Sequence, residues 1–283
     1  MNYKKIIIPC IAILLIGVSI FFWYRSHINV AVVKFFPINN NIYFLELGSD
    51  LEIYKGEEEN YKVVGESWSQ TNEKVYLRQD VNLLFQNGFL KQFDYPWKKD
   101  TDWIIDKLEM PLNKNSIYSL LSYHHAEIHK NNLISSSQAV TEDKLYVGYS
   151  EGRWNIFKIP KNDFQKKEQE RLISNYKQLR EELLEQGLIQ MNINKNSYEI
   201  YDLDSFSLEG NKSDIIREEQ WESVLGGLWE GLYNNYITYY SKGELEYFSP
   251  PMPWVLLDKE GTHILVIYQK ENGEFDKLIM AIE

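Results

Sequence analysis

Cysteine is almost absent from this chain, and positive charge is in short supply. The 283 residues include one cysteine, so a disulfide framework and a zinc site built from several thiolates are excluded. Thirty Lys and Arg residues stand against 41 Asp and Glu residues, which gives a formal net charge of -11. A protein that binds nucleic acid through its phosphates needs the opposite balance on at least one face, so no nucleic-acid partner is expected.

The motifs of several common enzyme classes are also missing. The sequence has no G-x-S-x-G nucleophile elbow, no G-x-x-x-x-G-K-[ST] phosphate loop and no G-x-G-x-x-G dinucleotide motif. Residues 202–209 space oxygen-bearing side chains like a calcium loop but lack the mid-loop glycine of an EF-hand, which favours a polar turn. The sequence leaves open a catalytic site whose groups come together from distant positions, but no motif identifies its residues.

The first apolar stretch of the chain is long enough to cross a bilayer. Residues 6–24 carry no charge, and as a helix they would span about 29 Å, close to the hydrocarbon core of about 30 Å. Four aromatic residues, 21–24, close the stretch before Arg25, as in an interfacial belt. A signal peptide cleaved after Ser19 would leave a hydrophobic new terminus, and the sequence before Cys10 does not fit a lipoprotein signal. We therefore predict an uncleaved signal anchor at residues 6–24.

The charges that flank this stretch predict its orientation. Lys4 and Lys5 precede it and only Arg25 follows closely, which favours a cytoplasmic N-terminus. Without Lys4 and Lys5 the chain keeps 28 basic and 41 acidic residues, a formal charge of -13, which suits an exported domain better than one lying on an anionic inner leaflet. We predict a single-pass protein of a bacterial cell membrane with a cytoplasmic tail at 1–5, a juxtamembrane segment at 25–40 and an extracytoplasmic domain at 41–283, with a subdomain boundary near residue 160.

Short β-rich runs separated by turn residues dominate the body. The sequence predicts strands at 42–47, 51–56, 61–65 and 74–78, and Asn87-Gly88 between apolar runs is a strong hairpin signal. Further polar turns predict three more hairpins, and these turns lie at residues 130–132, 151–152 and 270–274.

Two helical patterns interrupt the strands. The first begins at Asn162, which forms a capping-box pattern with Gln165, and stops at Gly187. The second runs from about Asp214 to Tyr233 and contains three glycines that either pack closely on a sheet or break the helix near residue 226. The predicted fold class is α+β: an N-terminal transmembrane helix followed by a mostly antiparallel β-rich body with two amphipathic helices.

Three of the five histidines lie between Tyr123 and His129, and they offer the clearest candidate site. If this segment is a strand, His125, Glu127 and His129 share one face and could give three ligands to zinc, manganese or iron, with a fourth position open for water. A helix would not place residues two apart on one face. The alternative is an ordinary solvent-facing strand with His124 pointing inward, because only His263 is available as a distant fourth ligand.

Aromatic residues are abundant, and some could form an exposed platform for sugar rings or a partner protein. Candidates are Trp97 and Trp103, which surround a charged turn, and Trp254, which follows a proline-rich segment. In a β-rich fold, however, aromatic side chains usually pack inside.

Two functional hypotheses follow. The leading one is a membrane-anchored extracytoplasmic interaction or accessory module without catalysis of its own, held by the bilayer through residues 6–24 and facing a membrane or envelope protein. The second is a metal-dependent cell-surface hydrolase in which His125, Glu127 and His129 hold a divalent metal and Glu127 serves as ligand or general base. Apart from that metal, no cofactor is predicted.

Overall fold

Over the residues that it describes, the computed structural model consists of two antiparallel sheets and three α-helices. It describes residues 33–55, 60–210, 213–240 and 248–282. The predicted anchor at 6–24 lies outside these ranges, as do the tail at 1–5 and much of the juxtamembrane segment. Within these ranges no helix combines the length and the apolar character that a membrane crossing requires.

The first sheet has seven strands, and all of their ladders are antiparallel. This confirms the predicted mostly antiparallel β body. The strands are β1 (Phe44–Lys55), β2 (Tyr61–Gln86), β3 (Phe89–Asp94), β4 (Trp97–Pro111), β5 (Ser116–Lys130), β6 (Leu133–Ser150) and β7 (Arg153–Phe157).

The second sheet and the helices follow in the C-terminal half of the chain. The sheet has four strands in the order β11-β10-β9-β8. The elements are α1 (Asp163–Gln190), β8 (Tyr198–Asp202), α2 (Leu203–Glu209), α3 (Glu218–Leu232), a π-helical turn (Tyr233–Ile237), β9 (Trp254–Asp258), β10 (His263–Gln269) and β11 (Phe275–Ala281).

Strand β2 organises the first sheet, because it pairs with four other strands along its 26 residues. Its first half lies between β1 and β4, and its second half pairs with β5 on one side and with β3 and the start of β4 on the other. The register against β4 shifts between Gln70 and Val75, and such irregularities bend a strand. The sheet therefore curves into a half barrel.

The predicted separate strands at 61–65 and 74–78 are both parts of β2. Between these two runs, buried positions of β2 alternate with half-buried ones. The buried positions are occupied by small or polar residues, namely Gly65, Ser67, Ser69 and Thr71. The sequence therefore shows no alternation of apolar and polar residues here, although β2 stays hydrogen-bonded to β1 on one side and to β4 on the other. The predicted strands at 42–47 and 51–56 merge into β1 in the same way.

Four hairpin turns lie where the sequence predicts them. Three of them place two successive residues at positive φ, which is the type I′ geometry that matches the twist of the paired strands. These pairs are Asn87-Gly88, Asn131-Asn132 and Glu151-Gly152. The fourth turn, at 270–274, joins β10 to β11.

The helices differ from the predicted ones in number and in detail. In α1, Asn162 caps the first turn by accepting the backbone N–H of Gln165, and the helix extends to Gln190 rather than ending at Gly187. Helix α3 is shorter than the predicted 214–233 segment but continuous through its glycines. A Cβ at Gly226 would lie 1.9 Å from the ring of Phe35, so glycine is needed there for close packing. The seven-residue helix α2 is additional, since so short a helix leaves little periodicity to detect.

Both sheets are buried on both faces over much of their area. The largest core lies between the first sheet, α3 and one face of the second sheet, and α1 covers the opposite face of the second sheet. A separate apolar cluster fills part of the half barrel. By backbone contacts the chain from Val33 onward forms one compact unit, and the predicted domain bounds stay predictions.

Replacing Trp229 by alanine should strongly destabilise the fold. The Trp229 indole stacks on the ring of Tyr123 with centroids 5.0 Å apart, and both side chains are fully buried where α3 meets β5. We expect the free energy of unfolding to fall by about 3–5 kcal/mol. Urea denaturation of the full chain in detergent measures this loss. Trp154→Ala, which removes a partly exposed indole, is the matched control and should cost clearly less.

Candidate functional site

A small cavity of about 160 Å³ lies where the first sheet meets α1 and α2, and we call it the Lys144 cavity. Its walls combine apolar and aromatic side chains with a group of charged ones. Its lining includes Phe85, Gly88, Ile117, Ser119, Lys144, Tyr146, Ile173, Tyr176, Asp202, Asp204 and Met252.

A charged group consists of Glu142, Lys144 and Asp204, and we call it the carboxylate–lysine cluster. Lys144 and Asp204 line the cavity, whereas Glu142 contacts the lining residues Lys144 and Ser119. The Lys144 ammonium lies 2.7 Å from Asp204 Oδ2 and 2.9 Å from Glu142 Oε1. Ser119 donates its hydroxyl to the same Glu142 oxygen at 2.8 Å. Glu142 and Lys144 share a face of β6, whereas Asp204 comes from α2, so the cluster joins the first sheet to the helix.

The two carboxyl groups of this cluster titrate differently. Burial and the neighbouring charge of Asp204 raise the pKa of Glu142 to about 7. Burial opposes ionisation of Asp204 as well, but the Lys144 ammonium holds the pKa of Asp204 below its ordinary value. The cluster therefore changes its net charge between zero and minus one near neutral pH, and Glu142 carries the exchanging proton.

The wall of the cavity depends on a glycine in the turn between β2 and β3. Gly88 has a φ of +75°, and a Cβ there would lie 1.9 Å from Cε2 of Tyr176. A larger residue would thus be strained by its backbone conformation and would collide with the tyrosine ring. The Tyr176 ring packs on this glycine, and burial raises the pKa of its hydroxyl.

A second ion pair closes the neighbouring part of the cavity. Arg180 of α1 donates to the Asp202 carboxylate and to the carbonyl of Met252. Its guanidinium lies over the Trp254 ring, 4.1 Å from the centroid, and Trp254 is only 3% exposed. The suggestion that Trp254 forms an exposed platform is therefore wrong, because α1 and Arg180 cover it. Trp97 and Trp103 are half-buried.

The predicted metal ligands lie on a strand, as the metal hypothesis requires, but at different depths. His125 of β5 is buried, Glu127 is half-buried and His129 is exposed. The His129 ring contacts the Glu127 carboxylate and stacks on Tyr76. Among the described residues no group of three or more His, Cys, Asp or Glu side chains is arranged to hold a metal ion. Metal binding by His125, Glu127 and His129 stays a prediction.

The two neighbouring histidines of β5 face different interiors. Burial, together with the charge of Arg78, lowers the pKa of His125 to about 4, so its ring is neutral at physiological pH. His124, on the opposite face, contacts Asp80 through Nδ1 at 2.8 Å and Thr141 through Nε2 at 2.9 Å. The alternative of a solvent-facing strand is therefore wrong at His125, because core covers both faces of β5 there.

Sequence reasoning missed the carboxylate–lysine cluster. Glu142 and Lys144 are two residues apart just before an apolar strand run, so extending that strand backward would have put both on one face. Asp204 lies in the 202–209 segment, whose spacing favours a polar turn but which forms α2, and no pattern connects it with β6. It lies sixty residues after Lys144, and only the packing of α2 brings it to β6.

No protein-family model, no curated protein and no solved structure matches this chain. The function is therefore inferred from its own residues.

Replacing Glu142 by glutamine should change how stability depends on pH. In the unfolded chain a glutamate titrates near 4.5, whereas folding raises the pKa of Glu142 to about 7. The folded state thus keeps a proton that the unfolded chain has lost, and the stability contributed by this group falls as pH rises from about 4.5 to about 7. Glutamine does not titrate, so the wild-type chain should lose stability relative to Glu142→Gln across this window.

Urea midpoints of both proteins at about pH 5 and about pH 8 measure the difference. Glu181→Gln, at an exposed position of α1, is the matched control and should follow the wild-type pH dependence. Identical pH dependence in wild type and Glu142→Gln would contradict the assignment of the proton to Glu142.

Proposed function

We propose that this chain is a membrane-anchored extracytoplasmic binding module that holds a small molecule in the Lys144 cavity and has no catalysis of its own. The observation that carries the proposal is the cavity itself, where a buried cluster that exchanges a proton near neutral pH meets apolar walls. The predicted anchor at residues 6–24 would keep the body at the membrane surface, which raises its effective concentration toward a membrane or envelope partner.

The size of the cavity limits its guest. An apolar cavity of about 150 Å³ holds one benzene molecule, so a cavity of 160 Å³ fits a guest of similar size. Phe85, Ile117 and Met252 line it with apolar surface, which favours a guest with an apolar body. Polar groups are concentrated near Lys144 and would fix the orientation of the guest.

The charges at the cavity favour a cationic guest over an anionic one. Lys144 is already bound to two carboxyl groups, and Asp202 is neutralised by Arg180. Once Glu142 is ionised, the carboxylate–lysine cluster has one negative charge in excess, so an ammonium group on the guest would restore neutrality. An anionic guest would instead meet the negative charge of Asp204. The aromatic walls add attraction for a cation. We therefore propose a small organic amine as the guest.

Protease treatment of intact cells tests the predicted topology. Because the body is expected outside the membrane, added protease should degrade it and leave a short membrane-bound fragment that contains residues 1–24. A chain without residues 6–24 is the control, and it should stay protected inside the cell. Survival of the full-length chain, or its recovery as a free cytosolic protein, would contradict an extracytoplasmic body.

Calorimetric titration of the full chain in detergent with benzylamine tests the guest. We expect saturable binding that tightens as pH rises through about 7, because ionised Glu142 is the form that attracts the ammonium. Benzoate, which has a similar shape and the opposite charge, should bind at least about tenfold more weakly.

A pair of variants shows whether the benzylamine enters the cavity. Ile173 lines the cavity from α1 and is partly exposed, so Ile173→Trp should block the site without disturbing the core. Ile189→Trp, on the same helix but away from the cavity lining, is the matched control and should bind as wild type does. Equal binding by both variants, or equal affinity for benzoate, would refute the proposed guest.

A further inference from the structure

The turn between β5 and β6 presents apolar side chains to solvent beside the segment that leads from the predicted anchor. We call residues 130–134 the hairpin tip. Leu133 is 71% exposed and Ile134 is 43% exposed. Directly behind them the backbone N–H of Asn39 donates to Ser136 O at 2.8 Å, and Ser136 N–H donates to Pro37 O at 2.9 Å. The hairpin tip is thus fixed next to residues 37–41.

The charge of this corner is opposite to that of the protein as a whole. Residues 33–41 and 128–135 contain no Asp or Glu, although the chain has 41 acidic residues. They contain Lys34 and Lys130, and both of these residues are exposed. The nearest carboxylate on β5 is Glu127, which is in contact with His129. Glu230 of α3 reaches this corner, where its carboxylate accepts the backbone N–H of Phe35 at 2.9 Å. Because the two segments themselves carry two lysines and no carboxylate, an anionic lipid surface should repel this corner less than the rest of the acidic body.

Aromatic side chains extend this corner. Tyr76 is 45% exposed and stacks on the ring of His129, with the two ring centroids 3.8 Å apart. His129 is the residue immediately before the hairpin tip. Lys99 Nζ lies 5.7 Å from the centroid of Tyr76 and 5.9 Å from that of Trp97. Trp97 is half-buried, so Tyr76 is the exposed aromatic residue of this pair. Tyrosine beside lysine is typical of protein surfaces at the boundary between water and lipid.

If residues 6–24 span the bilayer, the length of the intervening chain limits how far this corner can lie from the membrane. Eight residues, 25–32, separate the predicted span from Val33, the first residue that the structure describes. Fully extended, they reach about 30 Å. The segment 33–41, which is hydrogen-bonded to Ser135 and Ser136 just beyond the hairpin tip, therefore starts within that distance of the bilayer if residues 6–24 span it.

We propose that the hairpin tip is a second membrane contact, in which Leu133 and Ile134 enter the headgroup region of the bilayer and Lys130 meets lipid phosphates. This inference rests on the predicted anchor. Two points of attachment fix the orientation of the body, whereas the anchor alone would let it rotate about the linker. The type I′ turn at Asn131-Asn132 makes the hairpin tip narrow, which suits shallow insertion.

Fluorescence quenching by lipid tests the contact in the full chain. Cys10 is the only cysteine, so a Cys10→Ser background accepts one new cysteine for an environment-sensitive dye. The chain is placed in nanodiscs of phosphatidylcholine with a minor share of phosphatidylglycerol, with and without a quencher on the upper acyl chain. A dye at Leu133→Cys should be quenched about twofold or more, whereas a dye at Ile189→Cys, a site that is 78% exposed on α1, should not be quenched.

Further variants test the hairpin contact and the predicted anchor separately. A dye on native Cys10 reports the anchor: quenching at Cys10 but not at Leu133→Cys overturns the hairpin contact and leaves the anchor standing. No quenching at Cys10 overturns both. With the dye at Asn131→Cys, the double change Leu133→Asn and Ile134→Asn should abolish quenching, and unchanged quenching would refute apolar insertion. The dye at residue 133 could instead respond to protein concentration and be unaffected by the quencher. That result would indicate contact with a second copy of the chain and would also overturn the proposal.

Discussion

The structure depends on one constraint, which is that the second half of β2 and most of β5 are buried on both faces and therefore admit one register. In this half of β2, alternate residues face the half barrel, and the others face the core shared with α3 and the second sheet. A slip of one residue would move Arg78 and Asp80 into the apolar core and place Val81 and Leu83 in the polar interior. Everything attached to these strands, including the cavity wall and the hairpin tip, takes its position from this register.

Within the half barrel, the constraint is reinforced by a fully buried ion pair. Arg78 donates to the carbonyl of Asp102 at 2.8 Å, and Asp80 accepts from the Ser69 hydroxyl at 2.7 Å. Burial raises the pKa of Asp80, but the charges of His124 and Arg78 outweigh this and hold the pKa below its ordinary value. Desolvation of such a network is costly, and its hydrogen bonds are satisfied in one arrangement only. We therefore expect this network to contribute more to the choice of register than to net stability.

The Lys144 cavity joins elements that meet only in the folded chain. Lys144 comes from β6 and its carboxylate partner Asp204 from α2. Tyr176 comes from α1, and Gly88, on which its ring packs, comes from the turn after β2. Proton exchange at Glu142 and occupation by a cation would compete for the same negative charge, so uptake of one favours release of the other. The hairpin tip lies at the opposite end of β5 from Ser119, so the proposed lipid contact and the proposed guest would use separate surfaces of one sheet.

The sequence by itself determined the features that a few neighbouring residues control. The type I′ turns are where two successive residues favour positive φ, and α1 starts at Asn162 because a capping side chain acts within one turn. Only the tertiary structure decided that β2 is one continuous bent strand, that His124 and His125 both lie in interiors, and that Glu142 acquires a pKa near neutrality. These outcomes depend on burial and on charges from residues far apart in the chain. A local sequence pattern does not predict such contacts, because these interactions form only after the sheets and helices have packed.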